Sequence, residues 1–164
     1  MKMKSQENLD QTDFALLDAL QHDCTESNQA LAERLGLSPP TCLRRLRRLR
    51  EGGWIEREVA VLRDERIGPL LSAIVEISLD RQDAAALDAF EQHVAADDAV
   101  QQCWRVSPGP DFVLVVTVRD MPAYHALAQR LFTGDANVRN VKAFFSVRRA
   151  KFSTALPLPV QRPA

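Results

Sequence analysis

Leu37–Ser38–Pro39–Pro40–Thr41–Cys42–Leu43–Arg44–Arg45–Leu46–Arg47–Arg48–Leu49–Arg50–Glu51–Gly52–Gly53–Trp54 reads as one helix with both ends marked. Ser38 can cap it by accepting a bond from an orphan backbone N–H. Pro39 and Pro40 fall in the first turn, where a missing N–H costs nothing and a fixed φ helps. Gly52 and Gly53 supply a left-handed stop. The helix between them holds roughly thirteen residues, about 20 Å at 1.5 Å per residue. Cys42, Leu46 and Leu49 recur at helical spacing and form the buried stripe.

Arg44, Arg45, Arg47, Arg48 and Arg50 occupy the rest of this helix. Pairs of them three or four apart repel, at a combined cost of ~1–2 kcal/mol. Glu51 offsets only the nearest two. A helix that carries such repulsion is most simply explained by an anionic partner, and its dimensions suit a DNA major groove. Thr41, Arg44 and Arg48 share one exposed face with Arg47 on its flank, and these are the candidates for base edges and nearby phosphates. Ser38 and Pro40 stand at the helix N-terminus, where the dipole favours a backbone phosphate. Arg45 has two readings, a DNA contact or a brace to an internal acid. Arg50, at the far end, meets a phosphate or nothing.

The remainder of the chain is not basic. Its 164 residues carry 21 Lys+Arg against 22 Asp+Glu, a formal net charge of −1. Division after Arg66 leaves 11 basic against 12 acidic residues up to and including it and 10 against 10 beyond it. The basic signal is therefore local to one helix, which favours directed groove contact over a diffuse polyanion coat. Cys24, Cys42 and Cys103 are odd in number and share no metal-ligand spacing, which argues against a disulfide framework or a zinc site. His22, His93 and His125 stand alone on predicted helices, and no nucleophile–base pairing is visible. Neither a metal nor another cofactor is expected. No apolar h-region or membrane span appears, and the reading is a soluble protein of a reducing, cytoplasmic compartment.

Residues 1–8 read as disordered. Asp10 then caps a helix with Phe14, Leu16, Leu17 and Leu20 inward, and Ser27 caps a shorter one with Ala30, Leu31 and Leu35 inward. The turn Gly36–Leu37–Ser38 leads into the arginine helix, so the pair forms a helix-turn-helix whose second helix reads. Trp54–Val61 alternates enough to form a short strand or wing. Residues 9–61 are thus expected to be a winged helix-turn-helix of three helices plus wing, and 62–69 a charged linker ending in Gly68–Pro69.

Residues 70–152 have a different rhythm. Strands are predicted at Leu71–Leu79, Val100–Val106, Phe112–Val118 and Val138–Val147, with helices at Ala84–Ala95 and Pro122–Phe132. The order is βαββαβ, the ferredoxin-like split unit, making the whole chain α+β. Such a sheet has helices on one face only, and a homodimer is the simplest cover for the other. Residues 153–164 hold three prolines and read as an irregular tail.

A winged helix-turn-helix followed by this domain resembles the Lrp/AsnC ("feast/famine") family of prokaryotic transcriptional regulators. The resemblance is carried by Leu9–Asp10 and Asp13, by Leu31–Ala32–Glu33–Arg34–Leu35–Gly36–Leu37–Ser38, and by Arg45, Leu49, Gly53 and Ile55. In the second domain it runs through Val106, Asp111–Phe112 and Met121–Tyr124. It implies dimers that pack sheet to sheet and often assemble to octamers, a pseudo-palindromic double-stranded DNA site, and an effector, commonly an amino acid, held in a crevice between C-terminal domains. By the same resemblance the effector-site candidates are Trp104, Ser107, Gly109, Asp111, Val141 and Ala143, with Trp104 equally readable as a strand aromatic of the core.

The sequence departs from the family in that crevice. The usual turn has the form G-x-x-D-[YF], whereas here Pro108 takes the glycine's place in Ser107–Pro108–Gly109–Pro110–Asp111–Phe112. Two prolines stiffen the turn and remove two N–H donors. Val141 and Ala143 stand where the family often has threonines. A more apolar ligand is expected, or weak or absent effector binding. Two rival functions remain open: a tetrapyrrole decarboxylase of similar architecture that works through His93 and His125, and a ligand-sensing assembly module that does not read DNA.

Overall fold

The computed structural model describes residues 9–160, the Glu65 side chain aside. The disorder expected for residues 1–8 and the end of the tail lie outside this range. The described chain forms two compact units, one made of the residues up to Val61 together with those from Lys151 on, the other of Leu62–Ala150.

The first unit contains α1 (Gln11–His22), α2 (Asn28–Arg34) and α3 (Pro39–Glu51). Each starts at the residue whose side chain can accept an orphan N–H. Asp10 accepts from the Asp13 backbone while Asp13 accepts from the Asp10 backbone, a reciprocal box at 2.8 and 3.1 Å. Ser27 accepts from Ala30 and Ser38 from Thr41. Gly36 and Gly53 stand at φ of 66° and 75°, a region that costs a side chain but not glycine, so each chain reversal is made where it is cheapest. Leu16, Ala19, Leu31, Ala32, Cys42, Leu46 and Leu49 close into one small core.

Trp54–Val61 is not a strand. Its backbone is irregular, and Trp54, Val59 and Val61 are exposed. Alternation marks two faces, but a strand also needs a neighbour to hydrogen-bond, and the described residues of this unit include no other strand. The linker is more structured than its composition predicts: α4 (Asp64–Ile67) occupies its middle, and Arg149 Nη2 meets Asp64 Oδ2 at 2.8 Å.

The second unit is β1 (Leu71–Leu79), α5 (Ala84–Ala95), β2 (Val100–Arg105), β3 (Phe112–Val118), α6 (Met121–Ala128) and β4 (Val138–Phe145). The sheet order is β2-β3-β1-β4, antiparallel throughout. Beyond α6 the helix widens into a π turn at Gln129–Thr133, which lets the consecutive Leu131 and Phe132 both enter the core. Ala73, Val75, Ile77 and Leu79 of β1 and Phe112, Leu114 and Val116 of β3 meet Phe90, Val94, Tyr124 and Leu127 of the helices. The opposite sheet face has no helix. Val115, Ile74 and Phe144 stand in one cross-strand row there, with Ile74 and Phe144 exposed.

Residues 151–160 are irregular, as the prolines predict, yet anchored. Gln21 of α1 donates from Nε2 to the Leu156 carbonyl at 2.9 Å and accepts from the Leu156 N–H at 2.8 Å.

Candidate nucleic-acid interface and ligand-binding domain

The buried stripe of α3 fixes which arginines face where. Cys42, Leu46 and Leu49 point into the core, so Arg44 and Arg47 point away from it, with Pro40 on the same side. Both arginines are exposed, and neither has an ion pair among the described residues. Ser38 and Thr41 are coupled at the helix start, the Ser38 hydroxyl donating to Thr41 Oγ1 at 2.8 Å. Asn28 of α2 donates to the Pro39 carbonyl at 3.0 Å and so fixes the start of α3 against its neighbour.

The other three arginines are occupied. Arg45 donates to Asp10 Oδ2 at 2.7 Å and to Asp13 Oδ1 at 2.8 Å. Arg48 donates to Asp13 Oδ2. Asp13 is only 1% exposed, and a buried carboxylate is tolerable only when paired in this way. Arg50 meets Glu58 Oε1 through both Nε and Nη2, at 3.0 and 2.8 Å. The backbone N–H of Asp13, and after it the Arg45 guanidinium, hold the Asp10 carboxyl below its ordinary range. The sequence offered Arg45 an unnamed internal acid; the structure supplies two and adds Arg48 to the group. The capping box was the available signal, because a helix-1 acid that caps also faces helix 3.

In the second unit the candidate residues are not gathered in one place. Trp104 lies on the edge strand β2, 60% exposed, its indole donating to Gln102 Oε1 at 3.1 Å. It pairs with Val113 and so belongs to the sheet face without helices. Val141 and Ala143 lie on the other edge strand, opposite Ile77 and Val75, and pack half-buried on the helix-side core. Ser107 and Gly109 are exposed in the turn. Asp111 is turned inward: its carboxylate accepts from the Leu79 N–H at 2.7 Å and from Gln82 Nε2 at 3.2 Å, which fastens the turn to the end of β1. A cleft of about 360 Å³ lies elsewhere, lined by Arg81, Ala85, Ala86, Ala89, Phe90, Asp135 and Asn137. Nothing in the sequence pattern marks it, since Arg81 and Asn137 lie 56 positions apart and are brought together by two side-chain-to-backbone bonds.

Chemistry-bearing clusters are sparse. Among the described residues no group of His, Cys, Asp and Glu is arranged to hold a metal ion. His93 and His125 are exposed on different helices. Burial pushes the Cys42 and Cys103 thiols up, which makes them poor nucleophiles. Among the described residues no helix is long and apolar enough to cross a membrane.

Residues 9–56 match the winged helix-turn-helix DNA-binding family and residues 72–156 the Lrp/AsnC ligand binding domain. The chain belongs to the Lrp/AsnC family. The DNA-binding transcriptional activator DecR of Escherichia coli is 35% identical over 150 residues, which cover 92% of this chain and 99% of that protein. An AsnC family transcriptional regulator from Agrobacterium tumefaciens superposes with a TM-score of 0.83 at 31% identity, over 91% of this chain and 97% of its own. A transcriptional regulator from Neisseria meningitidis, solved in complex with L-methionine, gives 0.83 at 29% identity over 92% and 97%. This Lrp/AsnC protein is accordingly a DNA-binding transcriptional regulator with a ligand-binding domain, and the ferredoxin-like α+β architecture expected of its second half is the one found.

Proposed function

We propose that this regulator reads double-stranded DNA as a homodimer, one α3 per half-site, and that a small metabolite of the amino-acid class bound by the C-terminal domain sets its activity. The observation that carries the reading is the outward pair Arg44 and Arg47, uncompensated on a protein of near-zero net charge. Arginine bidentate to guanine is the commonest specific groove contact. Ser38, Pro40 and Thr41 supply backbone contacts beside it, while Arg45 and Arg48 flank the surface on the α1 side.

The uncovered sheet face, with Ile74, Phe144 and Trp104 exposed, supports sheet-to-sheet dimers, and further assembly to octamers is the family's usual step. Two-fold symmetry implies a pseudo-palindromic site with half-sites about one helical turn, or a multiple, apart. The L-methionine held by the Neisseria relative supports an amino-acid effector, and the apolar Val141 and Ala143 with the proline-stiffened turn favour one with an apolar side chain. Activity would then belong to the cytoplasm, where promoter DNA and free amino acids coexist.

Selection from a random duplex library tests the DNA half of this reading: an enriched pseudo-palindrome is expected, and a library that stays random overturns it. A thermal-shift panel of amino acids tests the other half. A true effector at a hundred times its Kd stabilises by ~2.7 kcal/mol, and a panel without any shift removes the amino-acid class.

A further inference from the structure

We infer that Asp13, with Asp10, sorts the arginines of α3, so that Arg44 and Arg47 alone read DNA while Arg45 and Arg48 are retained by α1. The inference rests on the DNA-reading function and names the charges that perform it. Two carboxylates and two guanidiniums form the α1–α3 cluster, so its formal charge is zero. Arg50 with Glu58 is likewise neutral. What remains of the arginine helix as unpaired positive charge, among the described residues, is Arg44 and Arg47.

Retention follows from burial. Asp13 is 1% exposed and holds a guanidinium on each of its oxygens. A phosphate that recruited Arg48 would have to leave one of those oxygens without its cation in a site that water barely reaches, and an unpaired buried charge is costly. The solvent-exposed Arg44 and Arg47 lose nothing comparable when they move to DNA. Asp13 is therefore a positioning residue: it touches no nucleic acid, but it decides which cations are available to it.

Salt dependence separates this role from a merely structural one. Each phosphate-neutralising cation contributes about 0.9 to the slope of log K against log salt, and a residue that only holds the fold alters affinity without altering that slope. The measurement is binding of the full chain to the duplex selected by the wild-type protein, and to a scrambled duplex of equal length, across a salt series. Arg44→Ala and Arg47→Ala are each expected to cut the preference for the selected duplex about 5- to 150-fold, or to flatten the slope by about one contact. Arg48→Ala is expected to leave slope and preference at the wild-type values. Asp13→Asn is expected to act in the opposite direction, with tighter binding to the scrambled duplex and a steeper slope because Arg48 is freed. The double variant D13N/R48Q is expected to return the slope to wild type.

If D13N does not fold, Arg48→Ala and Asp10→Asn decide, the latter releasing only one of Arg45's two acceptors. A slope flattened by Arg48→Ala as much as by Arg47→Ala overturns the sorting, as does a folded D13N with unchanged slope and unchanged scrambled-duplex affinity. A wild-type protein that does not discriminate between the duplexes overturns the DNA-reading function itself, which is a different result.

Discussion

Asp10 shows how much one exposed carboxylate can be asked to do. It caps α1, receives Arg45 and completes the acid pair that holds the recognition helix. The Asp13 backbone N–H, followed by the Arg45 guanidinium, lowers its pKa from the ordinary value of 3.8. The folded state therefore binds this proton less readily than the unfolded chain, and the linkage stabilises the fold above the unfolded value. That contribution is intact at neutral pH, begins to fade near pH 3.8 and is lost as the pH falls through the lower, folded value. Asp10→Asn should remove this part of the acid sensitivity, and thermal midpoints of the two proteins recorded between neutral and strongly acid pH should converge as the pH falls. Parallel curves would show that the carboxyl carries no differential protonation.

Among elements, α3 combines a reading face with a structural stripe, and substitutions on the two should separate. Leu46 is 4% exposed in a core of only seven buried residues. Leu46→Ala should cost about 2–5 kcal/mol of the first unit's stability, read by denaturant unfolding, and weaken binding to every duplex alike. The boundaries of α1, α2, α3, α5, β1 and β3 were legible because each has a cap or a break beside a clean apolar period: Asp10, Ser27 and Ser38 all accept the N–H expected of them. What could not be read depends on partners distant in sequence. Trp54–Val61 has the alternation of a strand but no neighbouring strand among the described residues of its unit. Asp111 stands in a polar turn, and the bond that its Oδ2 accepts from the Leu79 N–H joins it to a residue 32 positions away. Trp104 and Val141 stand on opposite edges and opposite faces of the sheet within one chain, a placement set by strand order and pleat. The outward arginines were legible as a group, whereas their division into occupied and unoccupied members required knowing which acids α1 brings to them.

At the scale of the whole molecule, the first unit is assembled from two sequence segments, one preceding the second unit in the chain and one following it. Gln21 is the residue that fastens the returning segment, with two bonds to Leu156. At about 0.5–1.5 kcal/mol net per bond, Gln21→Ala should loosen residues 151–160 and speed hydrogen exchange at the Leu156 amide, while the amides of β1 and β3 keep their protection. Exchange that accelerated equally in the sheet would mean that the two units do not open independently.

The Gln21–Leu156 bond closes a ring of 135 positions, and the cost of closing a ring grows with the logarithm of its free length. Folding of the second unit shortens that free length drastically, because Ala73 at the start of β1 and Phe145 at the end of β4 become register partners. Arg149 and Asp64 clip the two strands of chain together again just outside the sheet. Each halving of the loop is worth about 0.6 kcal/mol, a gain that the helices of the first unit receive only while the second is folded. The ring that ends on α1 is thus short only while the strands between its ends are paired, and unfolding the second unit lengthens it again.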